Sequence, residues 1–384
     1  MKILAVHSAI LPNPEKQSQV DHWRIYRPLR ELAKNMPDWV IEHSPTFIPN
    51  FEENHAKDQF TEEEFQAAFE NLKQYDVIFS SYHPDPSAFI MMQLLNKKAG
   101  VQFVMDCDDD MFAINPDNPF WNKISHDQVY EMQRMIAHNP WLTTTNEFLA
   151  NRFRDRRPDF ARDTTIVIPN FINDDFVHPT FNNSPDVVIG YVGGSSHYFD
   201  LHDTGVLEAI QSLMHKHKNL RFKLVGMFSD VYTPKQRTTF DHGVRGTRFL
   251  EELYPTLNCD IFIAPLNDNT FNLGKSNIKW QEATRAGGAF VASNIGPYAE
   301  TLTDGKDALL VENTREAWYE ALEKLVLSSD LRNKLVDNAT ENVTLNWTLE
   351  NNWQHYKKLF ERVVKEGTNA DHRTVVGLSA GKAK

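Results

Sequence analysis

Nine residues from Gly274 to Glu282, Gly-Lys-Ser-Asn-Ile-Lys-Trp-Gln-Glu, hold types that suit two chemistries at once. A glycine and small polar residues at the start of a helical run leave backbone N–H groups without intrahelical acceptors at the positive end of the helix dipole, where a diphosphate is stabilised. Ser276 and Asn277 would bring such N–H groups, and Lys275 and Lys279 add full positive charge. Residues three or four apart share a helix face, which groups Lys275 with Lys279 and Lys279 with Glu282. Cations and N–H donors suit a diphosphate, whereas a carboxylate at Glu282 suits the hydroxyls of a ribose. The competing reading is a solvent-facing Lys/Glu pair of the ordinary helical kind. The following residues, Ala283 to Ser293, read as a helix end, a Gly-Gly stop and a short apolar strand, the way an α/β unit returns a helix to its sheet.

A second concentration of chemistry is Asp106-Cys-Asp-Asp-Asp110, directly after the apolar run Val101–Met105. Three readings compete. Asp106 and Asp108 could hold a divalent cation that bridges a diphosphate. They could instead face an acceptor hydroxyl as hydrogen-bond acceptors, or as a base raised by like-charge neighbours. Aspartates also cap helices and form turns. His83 in Ser-Ser-Tyr-His-Pro-Asp-Pro follows another strand pattern and is a further catalytic candidate beside a purely structural one. Gly193-Gly194-Ser-Ser-His197 closes a third strand pattern, where backbone N–H groups can approach a phosphate, although the spacing is not that of a dinucleotide fingerprint. Arg24 and Arg27 after the first strand, and Arg154 and Arg157 within the cluster Arg152 to Arg162, are candidate acceptor contacts, with solvated helix faces as the alternative. Lys235, Arg237, Arg245 and Arg248 form a second basic cluster.

The elements that must position these residues alternate. Continuous apolar runs at Lys2–Val6, Asp76–Ser80, Val101–Met105 and Trp141–Thr145, then at Val187–Val192, Arg221–Val225, Asp260–Ala264 and Ala289–Ser293, are separated by helical stretches. Runs without polar alternation predict parallel strands buried on both faces, so the fold class is α/β, with two Rossmann-like doubly wound domains. Ligands of such sheets bind outside the strands' carboxyl ends, and two sets of loops facing each other leave a cleft as the working site. The expected division is a first domain over 1–170, a proline-bearing hinge over 171–186, a second domain over 187–346, an amphipathic helix within 347–366 and a polar tail over 367–384.

The chain has 384 residues, 41% hydrophobic and 24% charged, which suits a soluble globular protein of two domains. A net charge of −12 opposes a surface that binds nucleic acid throughout, though not a local basic patch. The first apolar run is too short for a signal peptide, and Cys107 and Cys259 lie far apart without zinc-ligand spacing. Buried thiols in a reducing cytoplasm are expected, the host's cytoplasm if the chain is viral.

Four segments carry a family resemblance: VDHWRIYRPLREL after the first strand, IPNFINDDFVHP at the hinge, VVIGYVGGSSHYFDL opening the second domain, and KSNIKWQEATRAGGAFVASNIGPYAETLTDGKDALLVEN. Through them the chain resembles the retaining glycosyltransferases of family four, which have the two-domain GT-B fold. The resemblance implies a donor diphosphate held by Gly193, Gly194, Lys275, Ser276, Asn277 and Lys279, with the ribose on Glu282. It implies cleft carboxylates at Asp106 and Asp108 on the acceptor side. No cofactor is implied beyond a nucleoside-diphosphate sugar as co-substrate, and a divalent metal is the lesser option. Where the family commonly has a glutamate eight residues before the one matching Glu282, this chain has Gly274, and Gly193-Gly194 replaces the usual arginine after the second domain's first strand. The implied activity is transfer of a sugar to a hydroxyl acceptor with retention at the anomeric carbon, onto a glycan or lipid-linked sugar by default. Alternatives are a hydroxymethylated pyrimidine in viral DNA as acceptor, and a catalytically inactive protein that only binds the sugar nucleotide.

Overall fold

The computed structural model describes residues 1–7, 19–44, 61–81, 86–115, 118, 126–158, 160–173, 184–226, 237–241, 254 and 257–367. His83, Lys235, Arg245 and Arg248 lie outside these residues, as do 174–183 of the expected hinge and the tail from 368 onward.

Two six-stranded sheets account for the architecture, and every strand pairing in them is parallel. The first contains β1 (Lys2–Val6), β2 (Val40–Ser44), β3 (Val77–Ser81), β4 (Gln102–Asp106), β5 (Trp141–Thr144) and β6 (Thr165–Val167), in the order β2-β1-β3-β4-β5-β6. The second contains β7 (Val187–Gly193), β8 (Leu220–Gly226), β9 (Thr238–Asp241), β10 (Ile261–Ala264), β11 (Ala289–Ser293) and β12 (Leu309–Val311), in the order β12-β11-β10-β7-β8-β9. The expected doubly wound α/β class is the observed one. Strand order reverses between β1 and β3 in the first sheet and between β7 and β10 in the second, which places a ligand crevice at the carboxyl ends of each pair.

Each sheet is buried on both faces, as its continuous apolar strands require. One face of the second sheet packs Ile189, Tyr191 and Phe222 against Ile210, Leu213 and Trp318 of the covering helices. The other packs Val188, Phe262 and Phe290 against Trp280 and Ala283 of the helix Ile278–Arg285. On the first sheet, Val77, Phe79 and Val104 meet Tyr356, Phe360 and Val363 of the terminal helix Gln354–Gly367, with the rings of Phe79 and Phe360 edge to face at 5.5 Å. The chain end is thereby folded back onto the first sheet.

The amphipathic stretch from Trp347 is not one helix. Leu349–Asn352 and Gln354–Gly367 are separate, because the preceding residues pair with the end of the first domain. Ile172 donates its N–H to Trp347 O at 2.9 Å and accepts from Leu349 N at 2.9 Å, forming a short parallel bridge with Thr348. No helix among the described residues is long and apolar enough to cross a membrane. Both thiols, Cys107 and Cys259, are free and buried.

The helical segment after β1 is seated by a buried ion pair. Arg24, 1% exposed, donates to Asp106 from Nε at 3.0 Å and from Nη2 at 2.8 Å. Its Nη1 donates to Ile168 O at 2.7 Å and to Asn170 Oδ1 at 3.0 Å, and Asp106 also accepts from Thr143 Oγ1 at 2.6 Å. Carboxylate neighbours, Asp106 foremost, raise the guanidinium's already high pKa against the effect of burial. A buried charge that loses its partner costs about 3–5 kcal/mol, so Asp106→Asn should lower the free energy of unfolding in urea by about that much. Replacing both residues with apolar ones of similar size should cost less than either single change. Single variants within about 1 kcal/mol of the wild type would contradict this role.

Candidate active site

The crevice at the second sheet's switch point is built from three loops. After β7 the chain passes through Gly193 and Gly194 into a short turn, Ser195–His197, and the helix Tyr198–Asp203. Gly194 is exposed, and a Cβ built there would meet nothing within 4 Å. Gly193 has no such freedom, since its Cβ would lie 2.7 Å from the Tyr191 hydroxyl. After β10, Asn269 caps the four-residue helix Thr270–Leu273, accepting from Asn272 N at 2.9 Å. That short helix ends at Gly274, so Lys275 lies in a turn and not on the helix that carries Lys279. The expected shared face therefore holds for Lys279 and Glu282 but not for Lys275.

Helix Ile278–Arg285 begins at Asn277 without a side-chain cap. Among the described residues the N–H groups of Ile278 and Lys279 have no acceptor, as the first turn of a helix predicts. Side chains earlier in the loop are already engaged. Ser276 Oγ accepts from Asn170 Nδ2 at 2.8 Å, and Asn277 donates to Thr301 Oγ1 at 3.3 Å while accepting from Gln281 Nε2 at 2.9 Å. What Ser276 and Asn277 offer a ligand is backbone.

The first domain closes against this loop. Asn146, at the start of the helix Glu147–Asp155, donates to Gly274 O at 3.0 Å and Lys275 O at 2.8 Å. Asn118 donates to Ser196 O at 2.8 Å, and Gln281 donates to Asn170 O at 2.8 Å. Lys275 reaches across to Asp109, with both oxygens at 2.8–2.9 Å, and lies 4.1 Å from the centre of the Phe271 ring.

These contacts sort the charges. Asp106 is held by Arg24 and Thr143, so neither it nor Arg24 is the open cleft group expected; the pair is buried in the first domain. Asp109 is held by Lys275. Asp110 is fully buried, pairs with Arg152 and accepts from Phe112 N at 3.2 Å, the turn-capping role weighed for this cluster. Among the described residues Asp108 alone of the four makes no ion pair or hydrogen bond, and it is half-buried. Burial, then the charges of Asp109 and Asp106, push its carboxyl up to about 8, against the pull of Lys275 and Arg24. Among the described residues no group of three or more His, Cys, Asp or Glu side chains is placed to hold a metal.

Lys279 is the complementary case. Among the described residues no carboxylate stands at ion-pair distance from its ammonium, which lies 5.1 Å from the centre of the Tyr191 ring. Burial, with Lys275 adding to it, lowers its pKa to about 8, while Asp200 and Glu282 oppose the fall. Glu282 is 5% exposed; burial raises it to about 7, and the Tyr254 hydroxyl, Lys279 and the Trp23 indole of the first domain pull the other way.

The remaining arginines expected on the acceptor side hold the fold. Arg27 is buried and donates from Nε to His22 Nε2 at 3.1 Å. Arg154 bonds Glu147 at 2.7 Å and the carbonyls of Arg162 and Thr165. Arg157 is 2% exposed and donates to Thr165 Oγ1 and to the carbonyls of Asn139 and Pro140. Groups that the residue pattern did not single out are Asn146, Asn170 and the pair His197–Asp200. Each lies at a carboxyl-terminal strand end, which was the available signal.

Residues 186–328 match the family model of the glycosyl transferases group 1. No curated protein sequence matches the chain. Among solved structures, sucrose-phosphate synthase from Thermosynechococcus elongatus superposes with a TM-score of 0.66 at 14% identity, covering 95% of this chain and 100% of that one. A glycosyltransferase from Rickettsia africae gives 0.62 at 16% identity, over 95% and 98% of the two chains. Anabaena HepE in complex with UDP-glucose gives 0.61 at 14% identity, over 96% and 100%. The second domain resembles that of the group 1 glycosyl transferases, and the whole chain has the GT-B fold.

Proposed function

We propose that the chain transfers a sugar from a nucleoside diphosphate sugar to a hydroxyl acceptor with retention at the anomeric carbon. The observation that carries this reading is the set of donors left unpaired, among the described residues, at the β7/β10 switch point. There the open Gly194 loop, the uncapped start of the 278–285 helix and the ammonium of Lys279 converge, with no carboxylate paired to that ammonium among the described residues. A similar chain, HepE, was solved with UDP-glucose.

In this reading the diphosphate lies against the N–H groups of Ile278 and Lys279, and the ribose hydroxyls are taken by Glu282 on the same helix face. Negative charge grows on the diphosphate as the bond from the anomeric carbon to its oxygen breaks, and fixed donors there stabilise the transition state more than the ground state. The acceptor oxygen forms its new bond on the face the leaving group departs from. Its proton passes to the departing phosphate oxygen, which receives the electron pair of the broken bond. Asp108, facing from the first domain, takes the acceptor hydroxyl. Closure through Asn146, Asn170 and Lys275 excludes water from the reacting centre. The working units are a first domain over 1–170, a linker over 171–186, a second domain over 187–346 and the returning segment 347–366. A glycan or lipid-linked sugar is the acceptor class, since Arg152, Arg154 and Arg157, which a DNA acceptor would need, are engaged within the chain.

Lys279→Ala should lower kcat by about 10²–10³-fold, the usual loss for one oxyanion donor. In the wild type, affinity for a nucleoside diphosphate should fall as pH rises through about 8, because the deprotonated amine no longer attracts the anion; Lys279→Arg should flatten that profile. An unchanged rate, or a profile identical in the two proteins by calorimetry, would sink the assignment. Asp108→Asn should leave nucleotide affinity within about twofold while lowering transfer by about 10²-fold. Equal losses in both would show that Asp108 serves the donor instead.

A further inference from the structure

One group in the crevice has no part in the reading above. Asp200, 3% exposed, accepts from Asn267 N at 2.9 Å and from Asn272 Nδ2 at 2.6 Å on one oxygen, and faces His197 Nδ1 at 2.8 Å with the other. It thereby ties the glycine loop after β7 to the loop after β10 across the switch point. A carboxylate that accepts at every contact has no proton to give, so the proton of the third contact sits on Nδ1. Burial, followed by the charge of Lys279, lowers the imidazole's pKa to about 4, which keeps the ring neutral.

A neutral imidazole with its proton on Nδ1 presents Nε2 as a bare acceptor. Among the described residues Nε2 makes no hydrogen bond. Its ligand must therefore be a donor. Phosphate oxygens are acceptors and do not qualify, whereas sugar hydroxyls do. The facing loop offers the sugar no side chain at 274: Gly274 has none, and a Cβ built there would point at Leu149 of the first domain, 3.5 Å from its Cδ1. We propose that His197 Nε2 accepts a hydroxyl of the transferred sugar, and that Asp200 is the positioning residue that fixes the ring's tautomer and direction. This rests on the donor reading above and assigns the sugar's contact within it.

Calorimetry on the full chain with UDP, GDP and ADP and their glucose, galactose, mannose and N-acetylglucosamine conjugates first identifies the best-bound pair. For that pair, His197→Ala should weaken the sugar nucleotide about tenfold, the value of one hydrogen bond to a hydroxyl, and the bare diphosphate less than about twofold. His197→Gln keeps an acceptor oxygen near Nε2 and should recover most of the loss. Equal weakening of both ligands would mean that the ring serves the phosphates, and no weakening would mean that it serves neither; either overturns the proposal. Wild-type protein that binds none of the panel would instead remove the donor reading itself. Independently, ¹⁵N-histidine NMR of the free protein at neutral pH should show His197 protonated on Nδ1 and bare on Nε2, with that preference lost in Asp200→Asn. A proton on Nε2 in the wild type contradicts the tautomer on which the proposal stands.

Discussion

Charge pairing around the aspartate cluster that follows β4 is the constraint on which the rest depends. Four aspartates lie within five residues at the end of β4, so unpaired like charges there would oppose folding. The chain resolves this by giving three of the four a dedicated cation: Arg24 for Asp106, Lys275 for Asp109 and Arg152 for Asp110. Asp108 on one side and Lys279 on the other are what remains. Both have pKa values moved toward neutrality by burial.

The same pairing couples the two domains. Lys275 belongs to the second domain and Asp109 to the first; next to them Asn146 holds the backbone of the loop and Asn170 the Ser276 hydroxyl. These are polar, partly exposed contacts, weaker than a packed apolar interface and suited to a surface that parts and closes. The terminal helix, by contrast, is fixed to the first sheet by aromatic packing, and the bridge of Ile172 with Thr348 holds the two crossing segments side by side.

Much of the fold was legible because buried parallel strands read as unbroken apolar runs. The strands that escaped are those without that signature. β2, Val-Ile-Glu-His-Ser, is a largely exposed edge strand, β6 and β12 have three residues each, and β9 is a short edge strand of Thr-Thr-Phe-Asp. That Lys279 and Glu282 share a helix face was legible from spacing alone. Lys275 lies off the helix because Asn269 opens a separate short helix that stops at Gly274 before the next begins, and that cap lies upstream of the segment whose spacing carries the signal. The fate of Asp106 was not legible at all: Arg24 is 82 residues away in sequence, and only the β-sheet brings them together. His197 and Asp200 share a turn and could be paired from spacing, but the other two contacts of that carboxylate come from a loop about 70 residues on, near Asn267 and Asn272.

The most direct measurement is a crystal structure of the protein with the nucleoside diphosphate sugar it binds best. The account places the diphosphate within hydrogen-bonding distance of the Lys279 ammonium and the N–H groups that open the 278–285 helix, beside Gly194. Phosphate density elsewhere in the molecule, with Lys279 left facing solvent, would contradict it.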